Sequence, residues 1–269
     1  MTATPSTSTP PKPAQRIRPV PAVTRAIAIL RLLGKTKEPM NVKSISDALD
    51  LVPSTCLHIL RALTAEKLLA FDSASKRYRL GTGMLVLARS VMDTNSFAQV
   101  VQSTLDLISE KWGVTAIGVE VVDLHQMVVT ALSRSKLPFR LHVDVGSRFP
   151  GLISATGRLV AAYSQYSREE VDQQFAALRW QQPPSLDAWR KEVETARQNG
   201  YSLDTGRYIA GITLLAVPVL NTHQHITHTI VAASIANQLA QNEIEALIQE
   251  LQAHARRISG QLYSGESVA

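Results

Sequence analysis

The run from Asn41 to Gly81, NVKSISDALDLVPSTCLHILRALTAEKLLAFDSASKRYRLG, limits the fold of this chain more than any other stretch. Val42, Ile45 and Leu49 recur at helical spacing, and Ile59, Leu60 and Leu63 do the same further on. Asn41 suits the N-cap of the first of these helices. Asp50 stands where the chain must turn sharply, in a left-handed conformation that Asp tolerates better than most residues. Pro53 fits the first turn of the second helix, because its missing N–H is not needed there. Leu68 to Phe71 and Arg77 to Leu80 then flank the turn Asp72-Ser-Ala-Ser-Lys76, which predicts a β-hairpin. Two short helices, a tight turn and a basic hairpin form the pattern of a winged helix-turn-helix, whose common use is reading duplex DNA.

Within that pattern the helix after Pro53 is the recognition helix. Ser54, Thr55, His58 and Arg61 are expected on its exposed side. Short hydroxyls and free N–H groups at a helix N-terminus can approach phosphates or base edges. Arg61 can fork onto guanine or hold a phosphate. Lys43 on the preceding helix, and Lys76, Arg77 and Arg79 on the hairpin, supply positive charge for the DNA backbone. Cys56 is expected to be packing. A helix ahead of this module has Val23, Ala26, Ile27, Leu30 and Leu33 as its apolar face, Thr24 as its cap and Gly34 as its stop.

Charge is distributed to match. Residues 1–82 carry 13 Lys+Arg against 5 Asp+Glu, a balance of +8, whereas the rest carries 15 against 17, a balance of −2. Positive charge is thus confined to the part that would meet a polyanion. A DNA-packaging protein would not need some 170 further near-neutral residues. One cysteine in 269 residues excludes an internal disulfide framework and a Cys-rich zinc site, and fits a cytoplasmic setting. No apolar run reaches about 18 residues, so no membrane partner is expected. The Ser-, Thr- and Pro-rich residues 1–19 have no apolar core of a secretory signal and read as a disordered arm.

Downstream of Gly83, Met84, Leu85, Leu87 and Ala88 begin a helix, and another runs from about Phe97 to Trp112. Val114 to Val122 and Met127 to Leu132 read as one antiparallel hairpin, and Ile212 to Leu220 with Ile226 to Ser234 as a second. Helical stretches fall near Gly157–Ser164, Glu169–Ala177 and Leu186–Gln198, and a final amphipathic helix runs from about Gln241 to Leu262. Strand pairs alternating with helices predict an α+β domain.

His125, His142, His223, His225 and His228 invite a catalytic or metal-binding reading. On a strand, His223 and His225 would share a face and a metal could bridge them, but no third ligand has convincing spacing. No GxSxG elbow, HExxH helix or phosphate loop occurs, and Ser154 beside Gly157 resembles no nucleophile motif. No catalytic residue, metal site or cofactor is therefore expected. A small-molecule-binding enzyme with an accessory nucleic-acid-binding domain is the alternative.

Taken together, VTRAIAILRLL, LVPSTCLHILRAL, the wing ending RYRLG, PGLISATGRLVAA and GYSLDTGRYIAGITLLAVPVL resemble the IclR family of bacterial transcriptional regulators, over about Val20 to Gln261. The resemblance implies a winged helix-turn-helix domain at 20–82, a linker helix at 83–96 and a GAF-like, antiparallel-sheet effector-binding domain at 97–264, with a tail at 265–269. It also implies homodimers, or dimers of dimers, on pseudo-palindromic double-stranded DNA operators. Carried over residue by residue, it places the effector pocket at Leu141, Ala155, Thr156, Asp204, Leu214, Val231 and Ala233. This chain departs from the family pattern at His58, where Arg is frequent, and at Gly206 and Arg207, where acidic residues are usual. Val231 and Ala233 stand where the family often has Ser, which makes the pocket more apolar. Arg140 and Arg148 lie on the connecting loop and could pair with an anion. The effector expected is a small organic acid, with aromatic acids in range.

Overall fold

The structure is a computed structural model, and it describes residues 20–36, 38–94, 96–133 and 143–264. The chain divides into two compact units between Thr94 and Asn95. The expected N-terminal arm lies outside the described residues.

In the first unit α1 (Pro21–Thr36) packs through Ile29 and Leu33, with Ala26, Leu30 and Leu32 against the same core. This corrects the expected face, because Val23 and Ile27 remain 55% and 41% exposed. It also corrects the ends. The helix begins at Pro21, so Thr24 lies inside it and bonds back to the Val20 carbonyl. The helix continues through Gly34, a substitution for Ala that costs about 1 kcal/mol in a helix interior but does not by itself end one.

α2 (Val42–Leu49) begins where the Asn41 side chain accepts from the Ser44 N–H at 2.8 Å. It ends at Asp50, which adopts φ 49° and ψ 49°. α3 (Pro53–Ala65) has Pro in its first turn and buries Cys56, Leu60 and Leu63. β1 (Leu69–Asp72) and β2 (Arg77–Leu80) form the wing, paired Leu69 to Leu80 and Asp72 to Arg77. Sequence reasoning missed its third edge: Met40 exchanges two backbone hydrogen bonds with Tyr78, at 3.0 and 2.8 Å. Gly81 is needed where the wing ends, since a Cβ there would lie 2.3 Å from the Lys67 carbonyl oxygen. α4 (Gly83–Thr94) follows, and residues 83–91 of it are half-buried or exposed.

The second unit opens with α5 (Ser96–Trp112), then β3 (Thr115–Val121), β4 (Met127–Leu132) and the two-residue β5 (Arg148–Phe149). Next come α6 (Ser154–Tyr163), α7 (Arg168–Ala176), α8 (Leu186–Asn199), β6 (Ser202–Thr205), β7 (Ile212–Leu220), β8 (Ile226–Ile235) and α9 (Gln241–Tyr263). The strands make one antiparallel sheet in the order β5-β4-β3-β8-β7-β6. Residues alternate between its faces. One face buries Ala116, Val217 and Ile230 under α5 and α9, with Phe97, Leu105, Leu251 and Ile258. The other buries Ile117, Val119, Val129 and Val231 under α6 and α8, with Leu152, Leu159 and Trp189. The molecule is thus α+β, with an N-terminal helix-turn-helix and an antiparallel-sheet C-terminal domain. The short strands β5 and β6 are additions to the sequence reading. β6 is too polar and too brief to stand out, and it forms only because β7 offers it a ladder.

Candidate nucleic-acid interface and effector cavity

The eight expected DNA-contacting residues all lie in the first unit. Along α3, Ser54, His58 and Arg61 are exposed at i, i+4 and i+7, which makes one stripe, while Thr55 is half-buried beside it. The stripe stays outward because Cys56, Leu60 and Leu63 are drawn into the core. Val52, the cap residue of α3, contributes no side-chain bond. The N–H groups of Ser54 and Thr55 precede the first intrahelical bond, made by Cys56 to the Val52 carbonyl at 2.9 Å. Lys43 is exposed on the first turn of α2.

On the wing, Arg77 and Arg79 are exposed two residues apart on one side of β2, and Tyr78 is buried on the other. Lys76 is exposed at the turn with φ 54°. Arg77 also donates to the Pro39 carbonyl at 3.3 Å, which braces the wing against the third edge. The Asp72 carboxylate shapes the turn by accepting from Ser75 Oγ and the Ala74 N–H. These two bonds hold its pKa below the usual carboxylate range, and the charge of Arg79 adds to them. Arg61 and Lys76 sit at the rim of an open cleft of about 370 Å³ between α3 and the wing, floored by Leu57, Phe71 and Tyr78. An exposed helix stripe and a basic hairpin joined by one core can straddle a DNA strand and its groove.

In the second unit a small cavity of about 90 Å³ lies between the sheet and the start of α6. Ala155, Thr156, Leu214 and Val231 line it. Asp204 and Ala233 do not. Ala233 is buried in the same core opposite Leu214. Asp204 is 1% exposed, and its Oδ1 accepts from the N–H groups of Arg207 and Tyr208 at 3.0 and 3.4 Å, so it shapes the next loop. Leu141 and Arg140 lie outside the described residues. Arg148 is exposed and reaches Gln126 at 3.4 Å, while its neighbour Phe149 turns into the cavity. Arg148 is thus a solvated charge turned away from the cavity, since alternate strand residues point to opposite faces.

Sequence reasoning missed Ile117, Val119, Met127 and Val129, which form the cavity wall on β3 and β4, and Tyr208 and Ile209, which close it from a loop. The period-two spacing within the first hairpin was the available signal. It also passed over Ser154. This residue is 4% exposed and lines the cavity with φ 59°, and its hydroxyl has no hydrogen-bond partner. A non-glycine residue in this region is strained by about 1–2 kcal/mol. Ile153 provides no side-chain cap for α6. The first intrahelical bond is Gly157 N–H to the Ile153 carbonyl at 2.9 Å, which leaves the N–H groups of residues 154–156 ahead of it. Gly157 is what lets the helix start here, because a Cβ would fall 1.9 Å from the Leu152 carbonyl carbon. The cavity therefore has apolar walls and lies against the start of α6, whose uncapped N-terminus carries positive partial charge.

The histidines do not converge. Asn221 Oδ1 accepts from the N–H groups of His223 and His225 at 3.0 Å each, as in a side-chain-mimicked turn. The His225 ring lies 2.9 Å from Gln165. His228 faces the opposite side of the sheet and stacks on Phe97 at 4.0 Å, and burial pushes its pKa down to about 4. Among the described residues no group of three or more His, Cys, Asp or Glu could hold a metal ion, and no helix is long and apolar enough to cross a membrane.

Comparison with known proteins agrees with both halves of this description. Residues 22–73 match the IclR helix-turn-helix domain, and residues 92–260 match the bacterial transcriptional regulator IclR C-terminal domain. The chain is 29% identical over 206 residues to the glycerol operon regulatory protein of Streptomyces griseus, covering 75% of this chain and 80% of that one. It is 25% identical over 249 residues to the HTH-type transcriptional repressor AllR of Escherichia coli K12, covering 88% and 89%. The fold matches the crystal structure of an IclR transcriptional regulator from Alicyclobacillus acidocaldarius with a TM-score of 0.78 at 24% identity, covering 90% of this chain and 99% of that one. It also matches an IclR homologue from Microbacterium hydrocarbonoxydans complexed with 4-hydroxybenzoate, with a TM-score of 0.76 at 16% identity and coverage of 90% and 98%. A family model that spans residues 92–260, joined to the family's own DNA-binding module, places this chain in the IclR family of bacterial transcriptional regulators, which are not enzymes.

Proposed function

We propose that this regulator binds a pseudo-palindromic operator as a homodimer, or a dimer of dimers, and that a small organic acid in the cavity of the second unit controls its affinity. In this reading residues 20–82 bind DNA, 83–96 link, and 97–264 sense. Ser54, Thr55, His58 and Arg61 enter the major groove, while Lys43, Lys76, Arg77 and Arg79 hold the backbone. Two copies present their α3 helices to successive major grooves, about 34 Å apart. The dimer is supported by α4, where Leu85, Val86, Leu87 and Val91 are 68%, 71%, 56% and 64% exposed. Contiguous apolar surface of this kind marks a protein–protein contact. A cytoplasmic site of action goes with the role.

The observation that carries the effector assignment is the cavity's polarity. Apolar side chains form its walls, and against one end lie the uncapped N-terminus of α6 and Ser154, whose hydroxyl is unpaired. A carboxylate accepts from free N–H groups and is favoured by the helix dipole, while an apolar body fills the rest. The homologue that holds 4-hydroxybenzoate supports the ligand class, an apolar body joined to a carboxylate. Asp204 and Ala233 then act behind the pocket, on its shape. The effector shifts the DNA-binding equilibrium only by its differential affinity for the two states. Calorimetric titration of the full chain with a panel of carboxylates tests this reading. Binding of carboxylates supports it, and binding of only neutral or cationic compounds overturns it.

A further inference from the structure

We propose that residues 206–211 form a hinged cover over the cavity and that Glu192 latches it shut through Arg207. This proposal rests on the reading of the cavity as the effector site. The first observation is one of size. An apolar cavity of about 150 Å³ accommodates one benzene ring. The cavity here, about 90 Å³, is too small for a ring that also carries a carboxylate. An aromatic acid held wholly among these lining residues needs one of their walls to give way.

Most of the walls are fixed. β3 is hydrogen-bonded on both sides, to β4 and β8, and β8 likewise to β3 and β7. The start of α6 is packed so tightly on Leu152 that only glycine fits at position 157. The segment 206–211 differs. It begins and ends on glycines with left-handed backbone, Gly206 at φ 88° and Gly211 at φ 78°. Left-handed glycines accommodate backbone rotation at small cost, which is what a hinge requires. Between them, Tyr208 and Ile209 supply part of the cavity lining.

Backbone bonds fasten its far end, Ala236 N–H to the Gly211 carbonyl at 2.8 Å and Ile212 N–H to the Ile209 carbonyl at 3.2 Å, whereas the stretch from Arg207 to Ala210 is held largely by side chains. Asp204 accepts from two of its N–H groups, and Gln181 Oε1 accepts from the Ala210 N–H. The Gln182 N–H donates to the Arg207 carbonyl at 3.0 Å. The Arg207 guanidinium bonds Glu192 Oε1 on α8, whose other oxygen accepts from Arg158 Nε on α6 at 2.6 Å. Arg158 Nη1 lies 3.7 Å from Asp204 Oδ2, which closes a four-charge cluster. Arg158 is 3% exposed and Glu192 30%, so this end of the latch is rigid, whereas Arg207, at 39%, can leave it into water. The closed state excludes aromatic acids and admits short aliphatic ones. The apparent affinity for an aromatic acid is then lowered by the fraction of molecules that are open.

The test uses the full chain with Arg207→Ala, which frees the cover but keeps the Arg158–Glu192 pair, and with Glu192→Gln as a second variant. Hydrogen exchange at the amides of Arg207, Tyr208 and Ala210, with position 207 read as its replacement in the variant, should quicken about threefold, as expected for one half-exposed ion pair. Benzoate should bind about threefold more tightly to Arg207→Ala, with propionate unchanged. Unaltered exchange in both variants overturns the latch. An equal gain for benzoate and propionate overturns the size gate. If neither acid binds while exchange still quickens, the effector reading fails and the cover's role fails with it, though the latch stands.

Discussion

Replacing Ser154 by alanine should strengthen the fold and weaken effector binding. Ser154 lines the cavity, and its hydroxyl is buried and lacks a hydrogen-bond partner. A buried unpaired polar group costs about 1–3 kcal/mol. Alanine keeps the same backbone, so the strain at φ 59° is common to both proteins and cancels. Taking the low end of that range, the variant gains about 1 kcal/mol, which for a unit of this size raises Tm by about 2–4 °C. In the complex the same hydroxyl donates to the carboxylate, and a hydrogen bond to a charged group contributes about 1.5–3 kcal/mol. Its loss weakens binding by about 10- to 100-fold. The assays are a thermal scan of the full chain without ligand and a calorimetric titration of both proteins with benzoate and propionate. A purely structural serine gives the opposite pattern: a lower Tm and unchanged affinity for whichever acid binds. That result refutes the reasoning, because it requires the hydroxyl to have a partner within the protein and none in the ligand.

Other consequences follow from single residues. Arg77→Ala should weaken binding to all DNA sequences alike and reduce the salt slope by about 1, read by titrating a random duplex across salt concentrations; an unaltered slope removes the wing from the interface. Gly157→Ala should destabilise the second unit by about 3 kcal/mol or more, read by urea unfolding, because the new methyl overlaps the Leu152 carbonyl and α6 cannot back away from the sheet. His228 has its pKa lowered by burial from 6.5 to about 4, so its contribution to stability is complete above the unfolded value and is lost as pH falls toward the folded one. Denaturation midpoints should therefore decline between pH 6.5 and 4 by an amount worth about 2 kcal/mol, discounted for the ring's partial exposure, and His228→Phe should flatten that decline.

The parts of this protein that could be read from sequence are those set by local rules. Asn41, Asp50 and Pro53 each act on their own turn of chain, so cap, left-handed corner and helix start were all legible. The hairpins at Asp123 and Asn221 were legible for the same reason, since each side chain bonds the N–H groups of its own turn. Thr24 and Gly34 misled, because a cap residue type inside a helix and a glycine near its end carry the same local signal as true ends. Val23 and Ile27 misled because apolar periodicity does not say whether a face meets the same chain or another. The cavity is a product of distance. Its walls come from β3, β4, β7, β8, the start of α6 and the segment 206–211, and only the fold brings them together. Of the positions carried over from the family resemblance, Ala155, Thr156, Leu214 and Val231 line this cavity, while Ala233 lies behind it and the Asp204 carboxylate is turned to the Arg207 loop.

In the function proposed above, α3 reads one operator and a carboxylate in the second unit controls the reading. Selection of bound DNA from a random pool by the full chain, with and without carboxylates, tests it most directly. The expected result is a single inverted repeat with half-site centres about one helical turn apart, lost on Arg61→Ala, and with its occupancy changed by an acid that the chain binds. Uniform coating of all sequences, or an inverted repeat selected equally well by Arg61→Ala and indifferent to every acid that the chain binds, would contradict it.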